Sequence, residues 1–221
     1  MIDHAEAERL AKLRSYGLLD SAAEPQFDAI VGEAASRTGT PMAGIALIDG
    51  DRQWFKARLG LDRQETSLDE SICAHAMRQD EVFVVPDARE DERFRDMPAV
   101  AAEGGIRFYA GAPLRTRDGT RLGTLCVIDV QRRDALDEDD RVILETLARR
   151  TVAAFELRRE MRDRGLNEPE DHQVSELLWR RHAAELLAKS AVALERAGEG
   201  EALAHLEHVV TLVDESLARA D

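Results

Sequence analysis

The chain has 221 residues and a formal net charge of -14, from 30 Lys and Arg against 44 Asp and Glu; 44% of its residues are hydrophobic and 33% charged. That length suffices for one good core plus an appendage, and the mixture is that of a soluble, helix-rich protein. The acidic balance repels nucleic-acid phosphates and anionic lipid, so neither nucleic acid nor membrane is expected as a partner. No apolar run approaches the roughly 20 residues that cross a bilayer. The start MIDHAEAERLAKLRSYG lacks the basic-then-apolar order of an export signal, so a cytoplasmic protein is expected. Two cysteines, Cys73 and Cys126, make neither a disulfide framework nor a C-x-x-C metal spacing.

In chain order, Ala5 to Ser15 reads as a short first helix with Ala7, Leu10, Ala11 and Leu13 on its apolar side. Pro25 opens a second, where its missing donor costs nothing, and Phe27, Ile30, Val31, Ala34, Ala35 and Thr38 follow at helical spacing until Gly39 stops it. Met42 to Asp49 and Gln53 to Leu59 form a hairpin across Asp49-Gly50. Ser67 and Glu70 make a capping box for a helix running to about Gln79, and Val82 to Val85 is a short strand. Arg89 to Gly105 is a long loop with one helical turn, of the kind that often binds.

The next stretch, Ile106 to Val130, organises the rest. Phe108 to Leu114 and Leu122 to Val130 are apolar strands joined at Asp118-Gly119, the dipeptide suited to a two-residue turn with positive backbone angles. Alternation sends Leu122, Thr124, Cys126 and Ile128 one way and Gly123, Leu125, Val127 and Asp129 the other. Apolar residues on both faces predict a ribbon inside a sheet covered on both sides, with a pocket at an uncovered end.

Asp137 caps a helix whose first turn carries Glu138, Asp139 and Asp140, matching the helix dipole. Its apolar set, Val142, Ile143, Leu144, Leu147, Ala148, Thr151, Ala154, Phe155 and Met161, is wider than one sheet face requires, which predicts a second contact. After a break at Gly165 to Pro169, helices over Asp171 to Arg196 and Glu201 to Ala218 make a helical hairpin. From Leu166 onward five Lys or Arg stand against twelve Asp or Glu, and an acidic tail of this kind suits a protein partner. The expected domains are 1–165 and 166–221.

The phrases LRSYGLLDSAAEPQFDAIVGEAA, AGIALIDGDRQWFKARLGL, ETSLDESICAHAM, VVPDAREDERF and IRFYAGAPLRTRDGTRLGTLCVID, in that order over Ala5 to Arg159, resemble the GAF domain, a small-molecule sensing module of bacterial signalling proteins. They are similar to a subgroup found ahead of histidine kinases and diguanylate cyclases. The resemblance implies an α+β fold: a central antiparallel sheet of five or six strands, terminal helices packed on one face, and a pocket on the other closed by loops around residues 61 to 105. Paired first and last helices, and so a homodimer, are also implied. After Arg159 the sequence shows no kinase glycine box, no cyclase motif and no helix-turn-helix.

Candidate ligand-binding residues are Trp54, Cys73, His75, Asp87, Arg93, Phe94, Arg107 and Tyr109: aromatic faces, charges to orient a ligand, and a Cys-x-His on a capped helix. Strand alternation allows only one of Trp54 and Phe55, and one of Phe108 and Tyr109, on the pocket face. The competing reading is that the aromatics fill the core, that Asp87 caps a turn after Pro86, and that Cys73 belongs to an inner apolar face.

No cysteine lies between Cys73 and Cys126 to carry a bilin, haem would rest on His75 alone, and the dispersed Asn-Lys-Phe-Asp-Glu set of cyclic-nucleotide binders is not traceable. Neither cofactor, metal nor catalytic residue is therefore expected. The expectation is a non-enzymatic regulator that senses an unknown small-molecule ligand, or binds a protein partner such as a kinase, and signals through its terminal helices. Two alternatives stand beside it. One is a thiol-dependent redox enzyme resembling free methionine sulfoxide reductase and using Cys73; the other is a pure protein-interaction module.

Overall fold

The computed structural model describes residues 4–163. In chain order it has α1 (His4–Ser15), α2 (Pro25–Thr38), β1 (Met42–Ile48), β2 (Arg52–Leu59), β3 (Glu65–Ser67), α3 (Ile72–Ala76), β4 (Phe83–Val85), α4 (Pro98–Ala101), β5 (Phe108–Arg115), β6 (Arg121–Asp129) and α5 (Glu138–Asp163). Six strands form one sheet in the order β3-β2-β1-β6-β5-β4, with every neighbouring pair antiparallel. The α+β expectation holds. The helical hairpin expected over 166–221 lies outside the described residues.

Apolar residues on both faces of the strands give the sheet two separate cores. On one side Ile45, Leu47, Phe108, Ala110, Leu125 and Val127 meet Phe27, Ile30, Val31 and Ala34 of α2 and Leu144, Leu147, Ala148 and Phe155 of α5. On the other, Ala46, Ile48, Phe55, Tyr109, Cys126 and Ile128 meet Ile72, Cys73 and Ala76 of α3 and Phe94, Met97 and Val100 of the long loop. Pro25 starts α2 as read from the sequence, and Gly39 ends it in the left-handed region at φ 59°. The Asp137 carboxylate accepts from the Asp140 N–H at 2.7 Å, fixing the start of α5.

The β5–β6 turn differs from the expected two-residue form. Thr116 and Thr120 close it, the Gly119 N–H donates to the Thr116 carbonyl at 2.9 Å, and Gly119 takes φ 86° while Asp118 stays out of the positive region. This is a turn followed by a glycine bulge. Asp118 is held by the Thr116 and Thr120 hydroxyls and by Lys12 Nζ at 2.7 Å, so only the glycine is asked for the left-handed conformation. The register then passes from Leu114 opposite Gly123 to Arg115 opposite Arg121. Leu122 is the extra residue, and the bulge turns it into the helix-side core instead of leaving it with Thr124, Cys126 and Ile128.

Two further expectations are corrected. The helix predicted from Ser67 to Gln79 is a 3-10 turn at Leu68–Glu70 followed by the five-residue α3, because Ser67 is still paired to Arg52 in the sheet. Ser71 is the cap in its place, its hydroxyl accepting from the Ala74 N–H at 2.9 Å and donating to Gln53 Oε1 at 2.6 Å. On α5 the buried stripe runs through Leu144, Leu147, Ala148, Thr151, Val152 and Phe155, while Val142 is 51% exposed.

Candidate ligand cavity

A cavity of about 320 Å³ lies on the face of the sheet opposite α2 and α5. Its walls are mostly apolar. Phe55, Tyr109 and Ile128 come from the sheet, Ile72 and Cys73 from α3, and Met97, Val100 and Ile106 from the segment around α4, with Asp62, Arg63 and Gly104 exposed at the rim. Gln53, Thr66 and Glu70 supply polar edges. Thr66 Oγ1 is buried there and has no hydrogen-bond partner among the described residues, an arrangement a bound polar group would satisfy.

Of the residues singled out from the sequence, Cys73 and Tyr109 line this cavity. Trp54 does not. It packs in the helix-side core, and Phe55, one residue on, faces the cavity in its stead. His75 stands edge-on to Phe94 with ring centroids 5.1 Å apart, and burial beside Arg78 and Arg93 lowers its pKa, so it is neutral at pH 7. Phe94 is fully buried as a core ring. Arg93 lies over the Phe83 and Phe94 rings and donates to Asp91 at 2.6 Å. None of His75, Phe94 and Arg93 reaches the cavity wall.

Asp87 and Arg107 pair with each other rather than with a pocket: Arg107 Nε donates to Asp87 Oδ1 at 2.7 Å and its Nη2 to Oδ2. The Arg107 hydrogen bonds hold the Asp87 carboxyl below its usual value against the opposing effect of burial. A depressed folded pKa gives stability that is present above the unfolded value of about 3.9 and is lost as pH falls through the folded one. Between about pH 6 and about pH 3 the urea midpoint should therefore fall more steeply in the parent than in Asp87→Asn. Parallel slopes would show that the pair is neutral to folding.

Cys73 on the cavity wall and Cys126 beneath it are both buried, with free thiols. Cys73 Sγ lies 3.7 Å from Cys126 Sγ, and the Tyr109 hydroxyl donates to Cys73 Sγ at 3.3 Å. Burial raises the Tyr109 phenol well above its ordinary pKa, and the hydrogen bond from Cys73 together with burial raises the Cys126 thiol. Both therefore stay protonated near neutral pH. Among the described residues no group of three or more His, Cys, Asp or Glu converges as a metal site.

A second constellation escaped the sequence reading. Where β1 and β2 shift register, Ile45 opposite Ala57 becomes Ala46 opposite Phe55, and the extra residue Lys56 turns into the helix side. Its ammonium donates to the Ser21 hydroxyl at 2.8 Å, to the Ala22 carbonyl at 2.6 Å and to the Glu24 carboxylate. Arg158 of α5 donates to the same carboxylate at 2.8 and 3.0 Å. The signals were a lysine inside the apolar strand QWFKARL and a glutamate at the N-cap position before Pro25, where Ser, Thr, Asp or Asn is usual. A bulge cannot be read from either.

A two-core antiparallel sheet with a loop-walled cavity defines the α+β module, and the GAF domain family matches residues 23–155. The chain belongs to the GAF domain family. A cyclic di-GMP phosphodiesterase of Pseudomonas aeruginosa is 47% identical over 148 residues, which are 67% of this chain and 25% of that protein. The chain thus spans about a quarter of the length of that relative. Among solved structures, the GAF domain of a phosphoenolpyruvate-protein phosphotransferase from Coxiella burnetii superposes with a TM-score of 0.53 at 16% identity, covering 74% of this chain and 99% of that one. A domain of a putative two-component sensor histidine kinase from Sinorhizobium meliloti gives 0.52 at 19% identity, covering 66% and 99%. These two likenesses bear on the fold alone.

The phosphodiesterase corrects one expectation. A purely non-enzymatic signalling protein was expected, yet a segment this similar is part of an enzyme of cyclic di-GMP. Among the described residues no helix is long and apolar enough to cross a membrane.

Proposed function

We propose that this chain is a GAF sensory module that controls cyclic di-GMP turnover, with a small, mostly apolar molecule in the cavity as its signal. The observation that carries this reading is the 47% identity to a segment of a cyclic di-GMP phosphodiesterase. The cavity supports it: its volume is at the lower end for small-molecule sites, its walls are apolar, and Thr66 offers one unsatisfied hydroxyl. Arg63 is its one lining cation, and it already lies 3.3 Å from Glu70. A cyclic dinucleotide, with two phosphates, would need more positive charge than that. The signal is therefore distinct from the second messenger whose level it controls.

Transmission follows from the sheet being a shared wall. Cys126 and Ile128 of β6 face the cavity side while Leu125 and Val127, alternating with them, face the helices, so a shift of β6 is felt in both cores. A ligand moves such an equilibrium only if it binds the two arrangements unequally.

The test is a chimera in which the matching segment of this chain replaces its counterpart in the Pseudomonas aeruginosa phosphodiesterase. Met97→Trp fills the cavity and mimics occupancy. Hydrolysis of cyclic di-GMP should change by about fivefold or more between parent and Met97→Trp chimeras, the usual size of an allosteric coupling. Equal rates in two folded chimeras would overturn the proposal.

A further inference from the structure

We infer that Cys73 and Cys126 form a dithiol site that a small hydroperoxide oxidises to a disulfide, with Cys73 as the attacking thiol and Cys126 as the resolving one. This goes beyond the regulatory reading above and does not depend on it.

The geometry assigns the two roles. Cys73 lines the cavity, where a small reagent can reach it; Cys126 lies beneath, on β6, and is not part of the cavity wall. The two sulfurs are already 3.7 Å apart. The residues paired with Cys126 on both sides are glycines, Gly44 on β1 and Gly111 on β5, and they leave room for aromatic rings on this face of the sheet. A Cβ at Gly44 would lie 2.7 Å from the Phe55 ring, and one at Gly111 would lie 2.9 Å from the Tyr109 ring. Side chains there would displace the two rings that flank the sulfurs. The Tyr109 hydroxyl, 3.3 Å from Cys73 Sγ, donates to the charge that develops as this thiol loses its proton.

The chemistry balances as two thiols reducing one hydroperoxide. The Cys73 thiolate attacks the terminal peroxide oxygen, the O–O bond breaks, and the alkoxide leaves as alcohol with the proton from Cys73. Cys73 is then a sulfenic acid. Cys126 attacks its sulfur, the S–S bond forms, the S–O bond breaks, and hydroxide leaves as water with the Cys126 proton. Closing the sulfurs draws α3 toward β6, and with it Ile72, which lines the same cavity. Oxidation would thus reshape the ligand site.

The experiment treats the reduced full chain with hydrogen peroxide and follows intact mass and non-reduced peptide maps. The parent should lose two hydrogens and yield a Cys73–Cys126 linked peptide. Cys126→Ser should stop at a sulfenic acid on Cys73 that dimedone captures, while Cys73→Ser should leave Cys126 unmodified. Tyr109→Phe, which keeps the ring and the fold, should oxidise roughly tenfold more slowly, the worth of one hydrogen bond to a charged group. A parent that forms no intramolecular link, or a Cys73→Ser chain that is oxidised at Cys126 as fast as the parent, would overturn the assignment.

Discussion

Glu24→Ala is expected to lower the unfolding free energy by about 3–5 kcal/mol, the loss that follows removal of one member of a buried ionic group. Glu24 is 5% exposed and the Lys56 side chain is fully buried, so neither charge has water to fall back on. The carboxylate gathers Lys56 from the β2 bulge, Arg158 from α5, and Gln26 Nε2 at 3.1 Å from its own helix. Arg158 in turn donates to the Tyr16 and Gly17 carbonyls after α1, at 3.1 and 3.0 Å. Removing Glu24 takes away the acceptor that both cations share.

Lys56→Met should cost less, about 1–3 kcal/mol, because Glu24 keeps Arg158 and methionine fills most of the lysine's volume without a charge. Urea titration of both variants gives the ordering. A Lys56→Met loss equal to or greater than that of Glu24→Ala would show that the network does not centre on the carboxylate.

Phe155→Ala is expected to cost a similar amount, about 3–5 kcal/mol, for a different reason. Phe155 is fully buried, with its ring centroid 5.3 Å from Phe27 of α2 and 6.2 Å from Tyr16 after α1. Truncation leaves a void where three segments meet, and a close-packed core closes such a void only in part. Val142→Ala, one helix face away and half exposed, should shift stability by no more than about 0.5 kcal/mol. Both substitutions shorten an apolar side chain on the same helix. A comparable loss at Val142 in urea titrations would mean that this face of α5 is covered in solution.

The outcome at Trp54 and Phe55 shows how far the chain could be read. Alternation required one of the two to face each core, and that held; it could not say which, because a period of two has no origin until the strand is docked. Arg107 and Asp87 illustrate a second limit. Both are polar residues near the expected pocket, but they are 20 positions apart in sequence and pair with each other in the fold, outside the cavity lining.

The sequence by itself determined most of the elements and their order: Pro25 and Gly39 bound α2, Asp137 starts α5, and apolar residues on both faces of β5 and β6 demand cover on both sides. These are local preferences and burial periods, written in neighbouring residues. Only the tertiary structure decided the bulges that turn Leu122 and Lys56, the meeting of Cys73 with Cys126, and the choice of Phe55 over Trp54 for the cavity. Each depends on pairing between strands or packing between layers, where one extra residue reverses a side chain and residues 53 apart come into contact.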